Sequence, residues 1–174
     1  MQSEELFSGF GWRVTMDCAP LPDGRIKKAA RVGRCDTVHI LAFPSPKKVI
    51  LLREFRAFYG DYIWMLPTGR VNKETDHAAA AQRELQEESG FRAGHIRYYK
   101  SFYHSETFAS ANHVYVATDL RKDPLPPDYD EMMEVHEVTL EDAIAKVLGS
   151  SHPHSSSVCA LLLYAREHPE VLQK

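Results

Sequence analysis

Alternating apolar and polar positions dominate the first third of the chain, and a helical period takes over only near residue 75. Trp12 to Cys18 alternates loosely and runs into PLPDGR, where Asp23-Gly24 is a turn signal. The first two strands are therefore predicted to form an N-terminal hairpin ending near Val32. Thr37 to Phe43 and Val49 to Phe55 are apolar runs separated by PSPKK, which predicts a second strand pair around a proline-marked turn. Tyr62 to Leu66 reads as a short aromatic strand leading into PTGR. From Thr75 to Ser89 the alanines at 78 to 81, then Leu85, with no proline or glycine between, predict a helix. Thr75 is expected to cap it, Asp76 to sit in its first turn and Gly90 to end it.

Further strands are expected over Ile96 to Tyr103, His113 to Ala117 and Glu134 to Val138, with a loop at DPLPP. Leu140 to Leu148 and Ser155 to Glu167 read as helices, the second capped by its leading serines. This irregular order predicts an α+β fold, an α/β/α sandwich with a mixed central sheet, rather than a repeating βαβ barrel. A length of 174 residues suits a single core.

Composition narrows the partners. A formal net charge of −3, with no basic tract longer than a pair, argues against nucleic acid held by bulk charge but permits a small phosphorylated ligand. Cys18, Cys35 and Cys159 are odd in number and widely spaced, and are expected to be reduced, mostly buried thiols. MQSEELFSGFGW has no basic start or apolar run, and the longest apolar run, Val158 to Ala165, is too short to span a bilayer. A cytoplasmic protein with no membrane partner is the expectation.

One segment is at odds with ordinary helix design. In RELQEESG, Glu84, Glu87 and Glu88 fall three and four apart, crowding onto one side of a helix. Each like-charge pair at that spacing costs about 0.2–0.5 kcal/mol. They also occupy the last turns, where the macrodipole favours cations. A bound divalent cation would reverse both penalties, and carboxylate oxygens suit magnesium. Arg83, four before Glu87, is placed to pair with an acid. Elsewhere, HPHSSS at 152 to 157 is a short His-rich loop, and no H-E-x-x-H, G-x-S-x-G or P-loop pattern is present.

The span GRVNKETDHAAAAQRELQEESGF, Gly69 to Phe91, resembles the Nudix box, G-x5-E-x7-R-E-U-x-E-E-x-G-U with U apolar. Gly69, Arg83, Glu84, Leu85, Glu87, Glu88, Gly90 and Phe91 fall in register. The first glutamate does not: Thr75 stands in its place, with Glu74 one residue early. The resemblance implies a Nudix fold with an N-terminal β-hairpin extension over residues 1–34, acting in dimerisation, and a hydrolase domain over 35–174. It also implies Mg2+, or Mn2+, held by Thr68 through its carbonyl and by Glu84, Glu87 and Glu88, with Arg83 and Glu87 in the catalytic group.

LLREFRAFYGDYIWMLPTGR, Leu51 to Arg70, is similar to the segment ahead of the box in the ADP-ribose pyrophosphatase and nucleoside diphosphate sugar hydrolase branch. That branch implies a phosphate-gripping role for Arg56 and a homodimer in which a partner aromatic, matching Phe10 or Trp12, stacks on the base. It further implies a general base in DYDEMMEVHEV, with Glu131 ahead of Asp130 and Asp128. The implied reaction is metal-dependent hydrolysis of the pyrophosphate of ADP-ribose or a nucleotide sugar. Dinucleoside polyphosphates, modified triphosphates, or nucleotide binding with little turnover are the alternatives.

Overall fold

The computed structural model describes residues 2–72, 76–126, 129 and 132–172. Among them, the N-terminal strands are β1 (Gln2–Gly9), β2 (Trp12–Pro20) and β3 (Ile26–Gly33), and they form an antiparallel sheet in that order. The β2–β3 hairpin closes at the expected place, with Pro20 opposite Ile26 and Gly24 at φ 85°. The outer strand β1 is an addition to the predicted pair. A two-residue loop joins it to β2, with Gly9 opposite Trp12 and Phe10 and Gly11 both left-handed, at φ 53° and 77°. That is the primed geometry hairpins favour, but Phe-Gly is not one of its usual sequence signatures.

The remaining strands are β4 (Thr37–Ala42), β5 (Lys48–Arg56), β6 (Asp61–Met65), β7 (Thr68–Arg70), β8 (Phe91–Tyr103), β9 (Ala111–Lys122) and β10 (Met133–Thr139). One sheet runs β10-β5-β6 and the other β7-β4-β9-β8, with β4 parallel to β9 and its other pairs antiparallel. The expectation that β4 and β5 pair with each other is corrected. PSPKK carries the chain from one sheet to the other, and the two strands take different neighbours. Proline marks a break in local direction, and here that break turns a corner between sheets.

The helices are α1 (His77–Ser89), α2 (Leu140–Leu148) and α3 (Ser155–Glu167), followed by a 3-10 turn at Pro169–Leu172. Val38, Ile40 and Ala42 of β4 and Ile50 and Leu52 of β5 pack with Ala80, Ala81 and Leu85 of α1. Leu41, Val49 and Leu51 point the other way, into Leu140, Val147 and Leu161 of α2 and α3. Both faces of these strands are covered, which is why β4 reads as a continuous apolar run rather than an alternation. The result is the expected α/β/α sandwich.

Caps differ in detail. Asp76, not a first-turn residue, is the N-cap of α1 and accepts from the N–H groups of Ala78 and Ala79; Thr75 lies outside the described residues. Gly90 ends α1 at φ 73° as expected. The serines of α3 lie inside the helix, with His154 at the N-cap. Ser157 is fully buried there and its Oγ accepts from Leu66 N–H at 3.0 Å, tying α3 to the segment that leads into β7. The three cysteines are free, but Cys159 is exposed and Cys18 and Cys35 are half-buried, which corrects the expectation of mostly buried thiols. Among the described residues no helix is long and apolar enough to cross a membrane.

Candidate active site

The C-terminal half of α1 lies against β7, and the contact is made by its acids. A Cβ built on Gly69 would lie 1.8 Å from Glu84 Cδ, so the Glu84 carboxylate occupies the space any side chain there would need. Glu88 Oε2 accepts from the Thr68 backbone N–H at 2.7 Å, while Thr68 Oγ1 donates to the Val38 carbonyl. Both carboxylates are buried, Glu84 at 9% and Glu88 at 6% exposure. Arg83 spans the group: its guanidinium reaches Glu84 Oε1 at 2.8 Å, Glu87 Oε2 at 2.5 Å and the Arg70 carbonyl at 3.1 Å. The expected pairing of Arg83 with an acid four residues on is thus present, and it extends to Glu84.

Taking a carboxylate out of water costs several kcal/mol unless charge or hydrogen bonds compensate. Three carboxylates share this end of α1; among the described residues Arg83 pairs with two of them, and the last turn of the helix holds no basic residue. The donors are hard oxygens fixed from both sides, two of them buried, and they fit a magnesium-class ion.

Arg56, the last residue of β5, lies on the strand face that α1 covers, in phase with Ile50, Leu52 and Glu54. Its Nη2 stands 2.9 Å from Glu54 Oε2 and donates to Met65 Sδ at 3.1 Å. Burial pushes the Glu54 carboxyl above its ordinary pKa, and the Arg56 charge opposes that shift. The same period of two that makes Leu52 core puts Glu54 inward; that parity was the signal by which a sequence reading could have found it.

Trp12 lines a cavity of about 470 Å³ at the face of the N-terminal sheet, with Arg13, Arg31 and Arg34. The Arg34 guanidinium lies 5.4 Å from the Trp12 ring centre, and Phe108 packs edge-on to that ring. Phe10 is fully exposed in the β1–β2 turn. The base candidates Glu131, Asp130 and Asp128 lie outside the described residues.

A second polar group was not anticipated. His39 is 2% exposed; its Nε2 lies 3.2 Å from Thr37 Oγ1 and 3.3 Å from Asn112 Oδ1, and its Nδ1 has no hydrogen-bond partner among the described residues. The His154 ring lies 5.5 Å away. Burial holds both imidazoles neutral, His39 down to about 3 and His154 down to about 4. Nothing in the local pattern of β4 distinguishes His39 from its apolar neighbours, because all six positions of the strand are buried.

The NUDIX domain matches this chain over residues 33–160, which takes in β4 through α2, the first turn and a half of α3 and both halves of the acid-to-strand contact. The chain belongs to the Nudix family. Nudix enzymes generally use divalent metals, in keeping with the donor set on α1. Among relatives, the ADP-ribose pyrophosphatase of Bacillus subtilis (strain 168) is 34% identical over 147 residues, covering 83% of this chain and 80% of that protein. The ADP-ribose pyrophosphatase of Mycobacterium tuberculosis is 27% identical over 167 residues, covering 93% of this chain and 80% of that one. The methanol dehydrogenase activator of Bacillus methanolicus is 29% identical over 164 residues, covering 92% of this chain and 89% of that one. A solved structure described as an ADP compounds hydrolase superposes with a TM-score of 0.77 at 22% identity, over 98% of this chain and 93% of that chain, so the two share a fold.

Proposed function

We propose that this Nudix hydrolase cleaves the pyrophosphate of ADP-ribose or a closely similar nucleoside diphosphate sugar. Water adds to one phosphorus and the bridging P–O bond breaks, giving a nucleoside monophosphate and a sugar phosphate. The observation that carries the reading is the seating of Glu84 on Gly69 and of Glu88 on the Thr68 N–H, which fixes an oxygen-rich face opposite a strand end. The two ADP-ribose pyrophosphatase relatives support the substrate class.

Glu84, Glu87, Glu88 and the Thr68 carbonyl are the groups assigned to Mg2+, with Mn2+ as a substitute. The ion would neutralise the diphosphate and stabilise charge that develops on its oxygens. Arg83 holds Glu84 and Glu87 in fixed directions, so the acid face needs little reorganisation when substrate arrives. Arg56 is assigned to the phosphates, which its planar fork suits better than a lysine would. Trp12, with Phe10 behind it, is assigned to the base, and Glu131 to the proton of the attacking water. Residues 1–34 are assigned to a homodimer interface; Leu6, Phe7 and Ile26 are exposed apolar side chains on this sheet, and covering them would favour association.

The test is a panel of ADP-ribose, a nucleotide sugar, a dinucleoside polyphosphate and an oxidised nucleoside triphosphate, each with Mg2+ and with Mn2+, products being separated by chromatography. ADP-ribose giving AMP and ribose phosphate fastest is the expected result. Faster cleavage of a triphosphate, or binding without turnover under either metal, overturns it. Sedimentation of the intact chain checks the dimer, and a monomer at micromolar concentration removes that part alone.

A further inference from the structure

We propose that Asp36, His77 and His113 form a second metal site, for a zinc-class divalent ion, at the N-terminal end of the helix that carries the box glutamates. The three side chains come from separate places: Asp36 just ahead of β4, His77 at the first position of α1, His113 on β9. One potential ligand atom from each lies within 4.8 Å of the other two. His113 Nε2 stands 3.1 Å from Asp36 Oδ2, and His77 Nε2 stands 3.7 Å from the same oxygen. A tetrahedral ion with arms of about 2.0–2.1 Å sets neighbouring ligand atoms roughly 3.3 Å apart. The two distances to Asp36 bracket that value and the histidine-to-histidine edge lies within 4.8 Å, so a small rotation of the half-exposed His77 side chain would complete the site.

The surrounding groups prepare the ligands. Asp36 Oδ1 accepts from the Ala111 N–H at 2.8 Å, which leaves Oδ2 directed at the two imidazoles. His113 Nδ1 lies 2.7 Å from Ser101 Oγ; with the ring proton on Nδ1, Nε2 presents a lone pair. The competing arrangement is an ion pair of Asp36 with protonated histidine. It serves one ring well and the second poorly, because the rings stack with centres 4.3 Å apart and two imidazolium charges at that distance repel. Two neutral imidazoles and a carboxylate suit zinc or a similar transition ion, whereas the all-carboxylate set on α1 suits magnesium. Side-chain exposures of 33%, 37% and 14% leave room for a solvent molecule in the fourth position. An ion there would clamp the start of α1 to β9 and to the entry of β4.

The experiment titrates Zn2+ into the chelator-stripped full chain by calorimetry and follows Co2+ by its visible absorption. Expected are one tight zinc equivalent and the d–d bands of a tetrahedral ion, both surviving in Glu84→Gln and Glu88→Gln. His77→Ala, at a half-exposed position where folding is preserved, loses the bands and at least about 100-fold in zinc affinity; Ser101→Ala loses about 10–100-fold. An unchanged isotherm in His77→Ala overturns the site, as does loss of the equivalent in Glu88→Gln or in His152→Ala, which would move it to the box or to the His-rich loop. Absence of a tight equivalent in the parent chain leaves the ion pair alone and refutes the proposal. None of these outcomes depends on the substrate assignment, which the nucleotide panel tests separately.

Discussion

Gly69→Ala separates the chemistry from the fold more cleanly than deleting a carboxylate. Gly69 does not have the left-handed backbone that would itself penalise alanine, so the added methyl acts through space. Its carbon would lie 1.8 Å from Glu84 Cδ, and carbon atoms in contact need about 3.5 Å. The carboxylate must therefore withdraw by roughly 1.7 Å, which pulls Oε1 out of its 2.8 Å contact with Arg83. Displacing a catalytic group by about 1 Å costs on the order of 100-fold in rate. A fall in kcat of at least about 100-fold follows, with the substrate KM changed far less. Because Glu84 ends on rotatable bonds, the loss of stability is limited to about 1–3 kcal/mol for one charge-assisted contact. In a chain of this size that lowers Tm by roughly 3–10 °C. The assay is steady-state hydrolysis with saturating Mg2+ beside a calorimetric melt of the same preparation. A variant that keeps its kcat within about threefold refutes the claim that the position of Glu84 matters to turnover. A chain that no longer folds refutes the claim that only a side-chain end is displaced.

Three further outcomes follow from the same contacts. Glu88→Gln keeps an oxygen for the Thr68 N–H and so keeps the fold, yet lowers turnover by at least about 100-fold; activity near that of the parent removes Glu88 from the metal set. Ser157→Ala strands the buried Leu66 N–H and lowers the unfolding free energy in urea by about 1–3 kcal/mol, and an unshifted midpoint would show the bond is dispensable. His39 and His154 have folded pKa values of about 3 and about 4, below the 6.5 of the unfolded chain, so the unfolded state binds more protons in between. Their contribution is complete above pH 6.5 and is lost as pH falls, by roughly 2 kcal/mol per histidine at pH 5. Denaturation profiles across pH 7 to 4.5 check this, and a His154→Gln variant with the parent slope would count against it.

The local code carried a great deal of this protein. α2 and α3 run over the residues their apolar period marks, although His154 rather than a serine caps α3, and Gly90 stops α1 as a left-handed cap. The acids of α1 could be singled out from spacing alone, since a one-sided cluster at the wrong end of the dipole is costly unless something compensates it. Periodicity reports which face of an element is covered, and it does so over a few residues at a time.

Which elements meet is a different question, decided by contacts between residues far apart in the chain. β4 and β5 are adjacent in sequence, which predicts a pair, yet β4 lies against β9, with Thr37 opposite Asn112. β1 carries no sequence signal because its side chains are nearly all exposed; it is held by its backbone ladder to β2, which leaves no apolar signature. The seating of Glu84 on Gly69 brings together residues fifteen positions apart, and Asp36, His77 and His113 meet only once β9 lies beside β4 and α1 starts over them. The sequence determined where the helices run, which strand faces are buried and which acids are out of place. Pairing, register and the convergence of distant polar atoms came from the tertiary structure, because hydrogen-bond ladders and through-space charge have no period along the chain.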